Sequence, residues 1–326
     1  MEKWLQIKRN HHYVWTHYLS AWATKGNVYY LTTKEMVACD SIKGVCKDRE
    51  FYAIHKLSDE DVDFVLQWIS KASEFLQEKP RKDLADFVAV SDVWRIIEHV
   101  RRPEEISELE DVIRCNSLEN KYTTIENKFY SVIEAIKEYG SAALNDNSAM
   151  LSFCSYVGHQ VTRTKSFRDR SIEAIRQGVV GIPDVERYVY LTERSWWLLS
   201  YIFGTNVGAE LYFSRENDHH ILINNCTHTP FITGFHPLTN VHECVSDAGV
   251  SNPPEYMDLY VPLTPNIGYM FNQSPDYNHL RDSIDDEEVR FLNTAVSRQS
   301  EGRVIGSTSA VIDEIRKQGT RGSGLA

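Results

Sequence analysis

The chain has 326 residues, 42% of them hydrophobic and 25% charged, with a formal net charge of −11. These are ordinary values for a globular chain long enough to bury a sizeable core. The negative charge argues against a non-specific nucleic-acid coat, because phosphates would be repelled wherever no local basic patch exists.

The first ten residues, MEKWLQIKRN, contain no apolar core of the kind a secretory signal has, and no run reaches the apolar length that spans a bilayer. Six cysteines (Cys39, Cys46, Cys115, Cys154, Cys226, Cys244) lie thinly along the chain. That is the usage of a reducing compartment, so the expectation is a cytoplasmic protein with no membrane partner.

In chain order, KRNHHYVWTHYLSAW (8–22) packs three histidines, two tyrosines and two tryptophans into fifteen positions. It reads as a strand followed by a short helix, with Tyr18, Leu19 and Trp22 at helical spacing. NVYYLTT (27–33) reads as a strand, and residues 34–54 as loop ending in Phe51–Tyr52. From Ser58 the pattern turns helical, opening on a serine cap and an acidic first turn. Pro103 breaks it, and helices continue over 104–139. A long helix is expected from 145 to Gly178, and a strongly apolar one over 185–203.

After about residue 205 the texture changes to short β-like runs: AELYFS, HHILINN, PFITGF, YMDLYVPLT and IGYMFNQ. DDEEVRFLNTAVSRQS returns to helix, and GTRGSGLA reads as a frayed end. The expected fold class is α+β: a mainly helical N-terminal two-thirds with a small, mostly antiparallel C-terminal sheet. One domain over 1–326 is expected, helical over about 55–205, β-rich over about 206–275, with closing helices to 318.

Three groups of residues could carry chemistry. His11 and His12 titrate near neutrality and point to opposite sides of a strand, so one of them lines a given cleft. HQVTRTKSFRDR (159–170) sets Arg163, Lys165, Arg168 and Arg170 against the single acid Asp169. On one continuous helix His159, Arg163 and Arg170 would share a face, and arginine's planar fork suits phosphate or carboxylate. Cys226, His228, His242 and Cys244 are a candidate Cys2His2 metal set, with spacing unlike a zinc finger. Glu119 and Glu126 share a helical face seven residues apart and could hold Mg²⁺ or Mn²⁺ beside a phosphate. Each group also has a structural reading: core histidines, a solvated helix face, or soft ligands that merely lie close. The chain has no phosphate-binding, dinucleotide, zincin or nucleophile-elbow motif.

Taken together, the pieces resemble a family. HHYVW with the following Tyr18–Leu19 resembles the HHYVP signature of domain-of-unknown-function family 4238. DREFYAI resembles its Phe–Tyr element, and LENKYTTIENKF its acidic helix with Glu126. FCSYVGHQVTRTKSFRD resembles its Arg-Thr helix, here Arg163, Thr164 and Arg168. PFITGFHPLT is similar to its FITSDNP segment, LYVPLTPNIGYMF to its Pro-Leu-Ser-Pro strand, and FLNTAVSRQSEGRVIGS to its closing elements with Asn293 and Arg303. Two departures stand out: Trp15 replaces the signature proline, and Gly234, Phe235 and His236 replace Ser-Asp-Asn.

The resemblance implies a bacterial or phage intracellular protein, with antiphage defence as a candidate setting, and supplies no reaction. It implies His11, His12, Glu126, Arg163 and Arg168 as catalytic candidates, and Thr164, His236, Asn293 and Arg303 as binding candidates. The leading expectation is a phosphodiester hydrolase, a nuclease effector acting on nucleic acid or a nucleotide. There His12 would be acid or base, Arg163 and Arg168 a phosphate clamp, and Glu126 the group that orients the histidine or holds a metal. Mg²⁺ or Mn²⁺ is the candidate cofactor ahead of zinc. A non-catalytic module that binds a protein or an anionic ligand stays open beside it, as does a zinc-stabilised structural protein.

Overall fold

The computed structural model describes residues 6–100, 103–178, 184–243 and 256–322. Ten strands form three antiparallel sheets among these residues. β1 (Asn10–His12) pairs with β4 (Lys47–Arg49) in a two-stranded ribbon. The second sheet runs β3 (Val37–Ser41), β2 (Asn27–Leu31), β10 (Val304–Gly306), β6 (Thr233–Gly234). The third runs β5 (His219–Asn224), β9 (Ile267–Asn272), β8 (Asp258–Pro262), β7 (Thr239–Asn240).

The fold is α+β, but the sheet is not confined to the C-terminal end. Strands stand at both ends of the chain, and β10 pairs with β2 across almost its whole length. The span 34–54, expected as loop, holds β3 and β4. β3 is an edge strand with no fully buried residue, so it lacks the apolar alternation that marks a strand in sequence. AELYFS is not a strand but the last turns of a 30-residue helix, α7 (Val185–Ser214). Only Leu211 of its apolar residues is buried, which leaves the short run with strand-like texture and no helical stripe.

The helices include α1 (Thr16–Leu19), α2 (Asp59–Ile69), α3 (Glu74–Val100) and α4 (Pro103–Tyr139). Ser58 caps α2 as expected, in a reciprocal capping box with Asp61. The helix expected over 145–178 is two: α5 (Asn147–Thr162) and α6 (Lys165–Arg176). Thr164 between them is extended, at φ −78° and ψ 154°. His159 and Arg163 therefore do not share a continuous face with Arg170.

α5 and α7 cross at contact distance because both carry glycine there. A Cβ added to Gly158 would lie 2.3 Å from Gly208 N and 2.4 Å from Gly204 O. α8 (Asp286–Gln299) and α9 (Ser309–Gly322) close the fold. One aromatic core joins the opening segment (Tyr13, Tyr18, Trp22) to α4 and α5 (Phe129, Phe153, Tyr156) and to the third sheet (Tyr269, Phe271). The opening aromatics carry polar tips that find partners when buried. Trp22 Nε1 donates to Phe231 O at 2.9 Å, and Tyr18 OH donates to Pro262 O at 2.7 Å. The aromatic-rich start of the chain is thus a set of pegs that fastens it into the core, and the ribbon β1–β4 is held against α4.

Candidate functional site

The turn between α5 and α6 drives Arg163 into the protein, where it is 2% exposed. Nη1 donates to Glu126 Oε1 on α4 at 2.6 Å, and Nη2 donates to Gln160 Oε1 at 2.9 Å. Gln160 Nε2 in turn donates to Tyr13 O at 2.9 Å, which ties the pair to the opening segment. The guanidinium stands 5.1 Å from the Tyr122 ring centre. Burial pushes the Glu126 carboxyl up to about 7, against the pull of the Arg163 charge. Arg163 itself is held charged: its desolvation is outweighed by Glu126 together with Tyr156, Tyr52 and Tyr122.

The two histidines separate as their alternation on β1 requires. His11 is buried, stacked on Tyr52 with ring centres 4.3 Å apart. Its Nε2 donates to Lys8 O at 2.9 Å and Cys115 O at 3.0 Å, while Nδ1 accepts from Tyr52 N at 3.1 Å. That fixes its tautomer and uses both nitrogens. His12 is half-buried, and its Nε2 is enclosed with no hydrogen-bond partner. Burial lowers its pKa, against the backbone of Lys43 and the charge of Glu119, and the charges of Lys47 and Arg163 lower it further. Glu119 accepts from Tyr52 OH at 2.5 Å. Lys47 lies directly opposite His12 in the β1–β4 register, so the two side chains leave the same face of the ribbon. No carboxylate among the described residues pairs with Lys47.

A sequence model described as a protein of unknown function, DUF4238, matches residues 10–184. The chain belongs to the DUF4238 family. No curated protein and no solved structure matches it. The match spans β1 to the end of α6 and so contains His11, His12, Glu126, Arg163, Thr164 and Arg168. It stops short of His236, Asn293 and Arg303.

Within this DUF4238 chain, Thr164 turns the opposite way from Arg163. Its Oγ1 meets Nδ1 of His236, whose backbone N and O are both held by Ser300 Oγ. Burial pushes the His236 pKa down to about 3, so the ring is neutral at cellular pH. Gly234 lets β6 press on Ser300, since a Cβ there would lie 2.2 Å from its Oγ. Phe235 stacks under the Arg303 guanidinium at 3.9 Å. Arg168 pairs with Asp169 at 2.9 Å and stands 5.2 Å over Phe51. Asn293 lies apart from the others. It accepts from Ile232 N at 2.9 Å and donates to Pro230 O at 3.0 Å, strapping that segment to α8.

The structure therefore brings together His11, His12, Glu126 and Arg163, with Thr164 and His236 backing onto them. Arg163 is buried with Nη1 on Glu126 and Nη2 on Gln160, and its Nε is enclosed without a partner. Cys226 and His228 are exposed in a loop, and His242 faces Asp276 at 3.6 Å. Cys244 lies outside the described residues. No three His, Cys, Asp or Glu residues gather as a metal site among the described ones. No membrane-crossing helix occurs among them either. Sequence reasoning missed Tyr52, Gln160 and Lys47. Tyr52 stands out only as part of the Phe–Tyr element, Gln160 is a neutral residue without a motif, and the importance of Lys47 comes only from a register that needs β4 to be recognised.

Proposed function

We propose that this protein hydrolyses a phosphodiester, with nucleic acid as the first substrate class to test and His12 as the proton-transferring group. The observation that carries this reading is the cross-strand pair His12–Lys47. It sets an enclosed, unpartnered imidazole nitrogen beside a lysine without a carboxylate. A histidine whose pKa is lowered is neutral near pH 7 and can accept a proton from an attacking hydroxyl. Lys47 supplies the charge that meets a phosphate oxygen, a role that needs a point charge and not a fork. Lys8, whose Nζ donates to Asn120 at 2.8 Å, adds a second cation on the α4 side.

Arg163 and Glu126 form the back wall in this reading: a fixed charge that stays behind the histidine and is not consumed by substrate. His11 orients the ribbon, and Tyr52 links it to Glu119. The test is cleavage of labelled single-stranded RNA, single-stranded DNA and duplex DNA, each with Mg²⁺, Mn²⁺ or EDTA. Cleavage that falls on the order of 10²–10⁴-fold in His12→Asn, with unchanged unfolding, is expected. Lys47→Ala should raise KM more than it lowers kcat. Undiminished cleavage by His12→Asn would remove the assignment, and no cleavage of any substrate would favour a binding module instead.

A further inference from the structure

A second site stands on the other side of the Arg163–Thr164 turn, between α6, α7, the third sheet and the end of α8. It is a cavity of about 600 Å³. That volume suits a small-molecule ligand. Its walls are apolar, with Val161, Val207, Leu238, Met257 and Leu259 among them. Two of the polar groups it presents are donors, the Arg170 guanidinium at the rim and the Gln299 amide, and the neutral ring of His236 lies beside them. Arg170 Nη1 donates to Gln299 Oε1 at 3.2 Å, which leaves the Gln299 NH2 group for another partner. Among the described residues no carboxylate pairs with Arg170, and no aspartate or glutamate lines the cavity. His236 is buried with Nδ1 on Thr164, and no protein group among the described residues bonds its Nε2. Of the remaining polar walls, Asn240 spends its amide on Tyr256 O, His242 N and Asp258 N, and Ser171 Oγ donates to Phe167 O at 2.8 Å.

An apolar chamber with two unspent donor groups, one of them an arginine that makes no salt bridge and feels a carboxylate only at longer range in Glu301, is complementary to an anion on an apolar body. We infer that this cavity binds a small amphipathic anion, its carboxylate or phosphate on Arg170 and Gln299 and its apolar part against Leu238, Met257 and Leu259. The inference does not rest on the hydrolase reading, since it uses neither His12 nor Lys47.

The test is calorimetry and thermal unfolding of the full chain with octanoate, octyl phosphate and 1-octanol, below their self-association concentrations. At least one of the two anions is expected to bind saturably and raise the melting temperature, and the better of the two identifies the headgroup. The alcohol should bind at least tenfold more weakly. Arg170→Met, at an exposed position that leaves folding intact, should lower anion affinity by tenfold or more. Ala174→Leu, which narrows the same chamber without touching the donors, should weaken the anion as well. Equal binding of the alcohol, or full anion affinity in Arg170→Met, would overturn the inference, as would the failure of both anions to bind.

Discussion

Removing the Arg163 side chain would strand the Glu126 carboxyl in a space closed to water. Breaking a buried pair from one side commonly costs about 3–5 kcal/mol, and here the loss is that of the guanidinium's hydrogen bonds and of the proton that Glu126, already raised to about 7, must take up. Arg163→Ala should therefore destabilise by that order in urea unfolding, whereas Glu126→Gln, which keeps an acceptor for the guanidinium, should cost less. Equal and small losses in both would show that the pair carries no such burden. A loss of activity in Arg163→Ala is accordingly no sign of a phosphate clamp. From sequence, an arginine in a basic run looks like a solvated face or an anion site. Only its burial distinguishes it, and burial depends on the break at Thr164. The histidines were more legible: alternation on a strand separates His11 from His12, and the structure then tells which one is spent.

The same residues set the dependence of stability on pH. Burial holds His159 and His236 at about 3 and His220 at about 4, against an ordinary value of 6.5. Below 6.5 the unfolded chain takes up protons that these rings refuse in the native state. Their contribution is thus full above pH 6.5 and is lost as pH falls towards 4. Glu126 acts in the opposite sense: raised from 4.5 to about 7, it favours the native state below 4.5 and loses that contribution as pH rises through 7. The lowered rings, with His11, His12 and His55 shifted in the same direction, outnumber Glu126, so the unfolded chain binds more protons near pH 5–6 and stability rises with pH there. Urea unfolding at pH 5, 6 and 7 should show stability rising with pH; a flat series would contradict this balance.

Among the elements, the α5–α7 crossing does most to position the site, because it carries His159, Gln160 and Arg163. Gly158→Ala would press a methyl into the α7 backbone, which cannot yield as a flexible side chain would. The expected loss is about 1–3 kcal/mol or more, against about 0.5 kcal/mol or less for the exposed Ser148→Ala on the same helix. Thermal unfolding of the two variants separates the outcomes, and equal stability would show that the crossing can open. The long helices were legible because their apolar periodicity and caps agree. The break at Arg163–Thr164 was not, since neither proline nor glycine marks it. Thr164 leaves the helix to meet His236, a tertiary contact some seventy residues away.

At the scale of the whole molecule, the second sheet is woven from both ends of the chain, with β10 inserted between β2 and β6. Short strands of two or three residues carry little sequence signal, so the sheet was expected only where longer apolar runs occur. The weaving has a consequence for the family-matched span. Residues 10–184 lack α7, against which α5 packs, and β10, the partner of β2. That fragment alone should give no cooperative unfolding transition by circular dichroism, whereas the full chain should. A cooperative, soluble fragment would show that the C-terminal part is a separate unit.

The pH–rate profile of phosphodiester cleavage between pH 5 and 8, on whichever nucleic acid is cut, tests the central claim most directly. The full chain and His12→Asn should be compared at each pH where both are folded. A rate that rises with pH, levels off with a midpoint below 6.5, and loses that limb in the variant is the result predicted for His12 acting as the base. The same profile in both proteins, or a midpoint near 7 that vanishes only in Glu126→Gln, would contradict it.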